Sequence, residues 1–273
     1  AVIITESAST VSTRGFYELP LPEKKTDYTK SFQVSSYDLN APNWAEISDD
    51  DFMWQQEEPY IAGEFVWTGF DYLGEPEPYT NTWAKNNGFT DAQASRSSYF
   101  GIVDLSGIPK DRYYLYKSYW KPENTTVHIL PHWNWEERTG KNVPVFVYTN
   151  GDCAELFLNG KSQGSKCKNP KSDNSTERFR LMWKDVIYQP GELKAIAYKA
   201  GKKIGESIVR TADQPYKIRL SPDRNTIKAN GKDLSYILVE ALDKNGNLCP
   251  LAGNNIEVKL SGAGELVGID NGN

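Results

Sequence analysis

Histidine is scarce: His128 and His132 are the only two in 273 residues. With no third His and no HExxH pattern, a zinc site lacks ligands, and a Ser-His-Asp triad has little to draw on. The three cysteines, Cys153, Cys167 and Cys249, show no CxxC spacing. Cys153 and Cys167 could pair across a hairpin, but free thiols are the expectation. No apolar run approaches the ~20 residues of a membrane span, so no membrane partner is expected. The opening residues have neither the basic start nor the cleavage site of a secretory signal. Because Ala1 falls in mid-strand, that says nothing about the parent protein's address. Nucleotide, flavin and haem motifs are missing as well, so no organic cofactor is expected. No metal ligands are assigned, although carboxylate-rich loops bind hard cations without a sequence signature.

What is present is an ordinary globular composition, 38% hydrophobic, at a length that points to about two domains of ~150 residues each. The net charge of −5 is uneven. Residues 1–120 carry 9 Lys/Arg against 18 Asp/Glu, and residues 121–273 carry 22 against 18. The acidic first part argues against phosphate binding, and the mild surplus in the second reads as solvated surface rather than a nucleic-acid patch.

To about Trp120 the chain alternates strand and helix signals. The apolar run Ala1–Ile4 predicts a strand buried on both faces. The stretch "NAPNWAEISDDDFMWQQEE" predicts a helix beginning near Pro42, with Asn40 as cap and a second start near Ser48. "YIAGEFVWTGFDY" returns to a strand over Ile61–Thr68, and "KDRYYLYKSYW" has near-helical apolar spacing. Strand, crossover helix, strand, helix is a parallel α/β pattern. From "NTTVHILPHWNW" onward the text turns to period-two alternation, with Asn-Gly at 150–151 and 159–160 and a turn at Ala200-Gly201. This predicts an antiparallel sandwich of about 90 residues. After "TADQP" a second all-β module starts, and its roughly sixty residues look truncated or open-edged against the ~7 strands of an Ig-like sandwich.

Short motifs carry little. "GKSQG" at 160–164 spells a nucleophile elbow, but it overlaps a hairpin turn and both histidines precede it, so Ser162 is read as a turn residue. "NTT" at 124–126 and "NST" at 174–176 mark polar loops. More informative is Glu6, at the junction of the first strand and a hydroxyl-rich turn, where a carboxylate is costly to bury without compensation. Trp67 and Phe70 end the second strand, with Asp71, Glu75 and Glu77 just beyond. Aromatic faces beside acids suit a sugar: the ring stacks and the carboxylates accept hydrogen bonds from hydroxyls.

The runs "TESASTVSTRG", "AGEFVWTGFDYLGEP", "SSYFGIVDLSGIPKDRYYLYKSYW", "LPHWNW" and "AELFLNGKSQG" resemble glycoside hydrolase family 2, and within it β-galactosidase-like enzymes of Bacteroides-type bacteria. The resemblance covers essentially the whole chain. It implies a multi-domain α/β plus all-β architecture: residues 1–121 as the last two strands and helices of a (β/α)8 barrel, 122–213 as a β-sandwich and 214–273 as an Ig-like domain. It matches Glu6 to the catalytic nucleophile, Trp67 to a sugar-pocket aromatic and Asp71 to a supporting, substrate-side acid. Arg14 could pair with the site carboxylates, though a structural role is expected. A periplasmic or secreted location and a carbohydrate partner are implied too, while a homo-oligomer is left open.

Retaining glycosidases need a second carboxyl group about 5–5.5 Å from the nucleophile. The family's acid/base is a Glu following an Asn at the end of barrel strand four, which has no counterpart here. Glu64 lies inside a strand, and nothing in the sequence places Glu75 or Glu77. The general acid is therefore expected in a missing N-terminal part of the same enzyme, and this chain alone should be inactive. Two departures bear on the sugar. Ser9 stands where the long-studied galactosidases have His, and Ser98 and Phe100 stand where glucuronidases have the Asn and Lys that hold a carboxylate. A neutral sugar is favoured, galactose first, with β-glucuronide or β-mannoside as alternatives. The competing class is a non-catalytic carbohydrate-binding or architectural module, with Trp133 and Trp135 as a platform unless "HWNW" is a packed corner.

Overall fold

β-Branched Val2, Ile3 and Ile4 open β1 (Val2–Ala8) of the computed structural model, which describes residues 1–272. β2 (Ile61–Trp67) pairs with it in parallel, Ile4 opposite Glu64 and Ala8 opposite Trp67. Parallel strands need a long crossover, here the loop of residues 9–47 followed by α1 (Ser48–Glu57). The helix start near Pro42 is corrected: the chain there closes only a single turn, Ala45 N–H donating to the Pro42 carbonyl, and the Asn40 side chain is drawn to the Lys25 and Asp27 carbonyls. Helix begins at Ser48, where Asp49, Asp50 and Asp51 load the first turn with the charge its dipole favours. After β2 come α2 (Asn81–Asn86) and α3 (Asp111–Trp120).

Val2 and Ile3 are 50% and 56% exposed and Phe65 is 65% exposed, not buried on both sides as the apolar run predicts. The reason is topological. β1 and β2 form a sheet of two, and among the described residues no third strand pairs with either. Two strands do not close a barrel.

The next nine-tenths of a hundred residues form a sandwich. β3 (Val127–Leu130), β4 (Val145–Thr149) and β7 (Arg180–Trp183) make one antiparallel sheet in the order β3-β4-β7. β5 (Cys153–Leu158), β6 (Lys161–Cys167), β8 (Glu192–Lys199) and β9 (Lys202–Arg210) make the other, in the order β6-β5-β8-β9. A one-turn helix, α4 (Ser175–Phe179), leads into β7. Ala154, Leu156 and Leu158 alternate inward from β5, and Leu193, Ala195 and Ala197 from β8, against Val145, Val147 and Trp183 opposite.

The Asn-Gly pairs divide. Asn159 and Gly160, at φ 51° and 78°, make the tight hairpin joining β5 to β6. Asn150-Gly151 is not a hairpin; it carries the chain from one sheet to the other. Asn150 is tied to Thr126 N–H and the Pro122 carbonyl, and a Cβ on Gly151 would stand 2.7 Å from the Tyr198 carbonyl oxygen. The expectation of free thiols is corrected as well. Cys153 and Cys167 face each other in the β5–β6 register and form a disulfide, leaving Cys249 as the free, buried cysteine.

β4 is buried along its whole length. Its other face, with Phe146 and Tyr148, packs with Leu130 and Phe179 against Tyr37, Phe52, Leu115 and Tyr116 from the first 120 residues. At this junction Arg180 grips both carboxylate oxygens of Asp49, one at 2.7 Å, and donates to the Tyr37 and Asp38 carbonyls. Arg180 and Asp49 side chains are both fully buried. The Asp49 charges hold the Arg180 guanidinium above its ordinary range despite the opposing effect of burial.

Beyond the sandwich, β10 (Lys217–Pro222) and β11 (Ile237–Leu242) form one antiparallel pair with an Arg219–Glu240 ion pair across it. Ile218, Leu220 and Ile237 on it are more than half exposed. Residues 250–272 add no strand or helix, so the many turn signals of this stretch do not yield a complete sandwich among the described residues.

Candidate active site

The C-terminal ends of β1 and β2 lie side by side. Ile4 pairs with Glu64 and Ser7 with Val66, so β1 carries one residue more than β2 across Thr5-Glu6. This bulge breaks the alternation at Glu6, and bulges re-aim side chains at strand ends. Glu6 is exposed, whereas Ser7, Ala8 and Ser9 behind it are buried. Ala8 and Ser9 then turn at φ 60° and 58°, with Ser9 N–H donating to the Ser7 carbonyl at 2.8 Å. Two consecutive non-glycine residues in the left-handed region cost of order 1–3 kcal/mol each.

Trp67 ends β2 opposite Ala8. Its indole N–H donates to the Tyr72 hydroxyl at 3.1 Å, the rings meeting edge to face, and the Tyr72 hydroxyl donates to Glu75. Burial, the bond to Glu75 and the charges of Glu75 and Glu6 hold the Tyr72 phenol protonated well above the ordinary tyrosine range. Tyr72 thus links the Trp67 indole to Glu75. Sequence reading missed it, and the available signal was its place in the polar run after the Trp67 strand end. Glu77, half-buried beside Glu75, has its carboxyl raised by burial and by that neighbouring charge.

Asp71 is oriented differently. Its Oδ1 accepts from Gly101 N–H at 2.7 Å and Ser98 Oγ at 3.0 Å, and its Oδ2 pairs with Lys110 Nζ at 2.5 Å. Lys110 also donates to the Ser12 and Tyr99 carbonyls, and burial lowers it to about 8 although Asp71 opposes the shift. Gly101 is obligatory here, because a Cβ would meet Asp71 N at 2.2 Å. Asp71 lines a cavity of about 370 Å³ with Ser12, Arg14, Arg96, Tyr99 and Lys110, and neither Glu6 nor Trp67 lines it. Arg14 pairs with buried Asp104 at 2.5 Å. Glu6 and Trp67 lie towards the same ends of neighbouring parallel strands, and Asp71 is engaged by Gly101 N–H, Ser98 and Lys110.

Other candidates resolve into structure. Trp133 and Trp135 are buried, with indole N–H groups donating to the Gln189 and His132 carbonyls, so they present no face to a glycan. Ser162 donates to Glu155 on the neighbouring strand. His128 pairs with Asp111 at 2.6 Å, and burial pushes His132 down to about 4. Among the described residues no group of three or more His, Cys, Asp or Glu could hold a metal, and no helix is long and apolar enough to cross a membrane.

Comparison with known proteins adds the following. Residues 218–273 match the model of the glycoside hydrolase family 2 C-terminal domain 5, and residues 140–205 match a domain of unknown function, DUF4982. The β-galactosidase BoGH2A of Bacteroides ovatus is 41% identical over 99% of this chain, which spans 30% of that protein. A putative β-glucuronidase of Formosa agariphila is 30% identical over 94% of this chain and 23% of its own length. The crystal structure of a β-glycosidase from Bacteroides vulgatus aligns with a TM-score of 0.75 at 31% identity, over 92% of this chain and 33% of that one. The chain therefore spans a third or less of the length of these relatives.

Proposed function

Because the chain belongs to glycoside hydrolase family 2, whose C-terminal domains it carries, we propose that it is the C-terminal portion of a retaining exo-glycosidase acting on terminal β-D-galactosides. In this reading residues 1–121 complete a (β/α)8 barrel supplied mainly by the rest of the enzyme. Residues 122–213 and 214–273 are the β-sandwich and Ig-like domains that follow it. The observation that carries the reading is that Glu6 and Trp67 stand towards the C-terminal ends of neighbouring parallel strands, with the Trp67 indole held by Tyr72. Catalytic groups of such barrels sit at that end.

Glu6 attacks the anomeric carbon as a carboxylate while the bond from that carbon to the leaving oxygen breaks. The leaving oxygen takes its proton from a carboxylic acid on the barrel part outside this chain. Water, deprotonated by that same group, then releases the sugar from Glu6. Trp67 offers an aromatic face to the sugar, its indole fixed by Tyr72. Asp71 supports the site through the Lys110 lattice. Galactose is favoured by what replaces the carboxylate-binding pair: Phe100 is fully buried and Ser98 is spent on Asp71. β-Glucuronide is the second reading, favoured by the β-glucuronidase named among the relatives.

A 2-fluoro galactoside should label the full-length enzyme covalently at Glu6, and Glu6→Gln should abolish both labelling and turnover. Labelling at another carboxylate would remove Glu6 from the role. The 273-residue chain alone should not turn over aryl β-galactosides. A preference of the full-length enzyme for aryl glucuronides would select the second reading.

A further inference from the structure

Three acids, Asp71, Glu75 and Glu77, follow the end of the Trp67 strand, and the fold occupies each differently. Asp71 is spent, one oxygen on Gly101 N–H and Ser98 Oγ and the other on Lys110. Glu77 is half-buried, and burial together with the Glu75 charge raises its carboxyl. Glu75 is exposed and is joined to Trp67 by a chain of hydrogen bonds. The Trp67 indole N–H donates to the Tyr72 hydroxyl at 3.1 Å, and that hydroxyl donates its own hydrogen to Glu75 Oε2. Among the described residues, Glu75 Oε1 has no hydrogen-bond partner and no Lys or Arg forms an ion pair with the carboxylate.

The loop holds this arrangement firmly. Tyr72 N–H donates to Ser98 Oγ at 3.1 Å, and the Tyr72 carbonyl accepts from Ser98 N–H at 2.8 Å. Gly74 N–H donates to the Arg96 carbonyl at 2.7 Å, and the Glu75 carbonyl accepts from Glu77 N–H at 2.8 Å. Glu75 itself sits at φ 45°, a left-handed conformation that a non-glycine residue adopts only at a cost. The bond to Tyr72 does not explain that cost, because an exposed carboxylate gains little from a hydrogen bond that water would supply as well. What the strain achieves is a charged acceptor held still beside an indole. A sugar fits that pair, its ring on the aromatic face and a hydroxyl on the free oxygen.

We propose that Glu75 is a substrate-binding residue, its Oε1 accepting a hydrogen bond from one hydroxyl of the terminal sugar that stacks on Trp67. The inference rests on the reading of the Trp67 strand end as part of a glycosidase site. The role is recognition alone: the acid that protonates the leaving oxygen still comes from outside this chain. Because one oxygen meets one hydroxyl, removing Glu75 penalises a single position on the sugar rather than the whole ring.

The test uses the full-length enzyme, wild type, Glu75→Ala and Glu75→Gln. The substrates are an aryl β-glycoside of the sugar the wild type prefers, galactose being expected, and analogues each lacking one hydroxyl of that sugar. The wild type should lose about thirtyfold in kcat/KM when the hydroxyl that meets Glu75 is removed. Glu75→Ala should lose about as much on the intact sugar. Combined, these two deletions should cost little more than either alone, whereas at every other hydroxyl the losses should multiply. Glu75→Gln keeps a neutral oxygen acceptor and should recover part of the loss. The thermal midpoint should not move, since the side chain is exposed. Losses that multiply at every hydroxyl, or wild-type kcat/KM of Glu75→Ala on the intact sugar, would overturn the proposal. The coupling does not depend on which carboxylate attacks, and labelling of the wild type at Glu6 does not depend on Glu75, so the two readings fail separately.

Discussion

The strand pair that carries Glu6 and the sandwich behind it are made to different degrees of completeness. In the sandwich, two sheets turn their aliphatic faces to each other and every inward position of β5 and β8 is covered. In the strand pair, Ile3 and Phe65 face outward with nothing over them. What order the first 120 residues have is partly lent by the sandwich, through the Phe146–Tyr148 face and the Arg180–Asp49 contact. A site at strand ends therefore depends on packing more than a domain away.

The sharpest way to break that comparison is Asp49→Ala, which strands the buried Arg180 guanidinium. It should cost about 3–5 kcal/mol, read as a lower urea midpoint with the first 120 residues losing protection from hydrogen exchange before the sandwich does. If both regions respond alike, the dependence is mutual. Next is Leu156→Ala in the sandwich core, expected to cost about 3 kcal/mol, whereas Phe65→Ala in the 273-residue chain should stay within about 0.5 kcal/mol. Equal effects would mean that the strand pair is covered in solution. Cys167→Ser opens a disulfide closing a separation of 14 residues and should cost about 2 kcal/mol, lost from the sandwich alone. The smallest effect is Tyr72→Phe, expected to lower kcat/KM of the full-length enzyme about fivefold, for the loss of about 1 kcal/mol of hydrogen bonding, while the thermal midpoint is unchanged.

Legibility followed the same division. β5 and β8 alternate one buried face with one more exposed face, so period two is written in their residues. β4 is covered on both sides and shows no such period. The false start at Pro42 came from Asn40, whose side-chain amide is drawn instead to the Lys25 and Asp27 carbonyls, 15 and 13 positions earlier in the chain. The disulfide could not be read from spacing, since only the pairing of β5 with β6 sets Cys153 against Cys167. At the candidate site, the two strands that carry Glu6 and Trp67 were legible from the sequence pattern. Tyr72 was not, because its role depends on a loop folding back on the Trp67 indole, and neither was Asp71's commitment to Lys110, a partner thirty-nine positions on.

β4 serves as a party wall, its odd residues furnishing one room and its even residues the other. Cutting the chain near residue 122 to study the sandwich by itself would leave Phe146 and Tyr148 as a bare, sticky surface. Such a piece would self-associate, and any glycan it retained would have to be distinguished from adhesion to that surface. Replacing Phe146 and Tyr148 with smaller polar side chains would be the prerequisite for asking what the sandwich can do unaided.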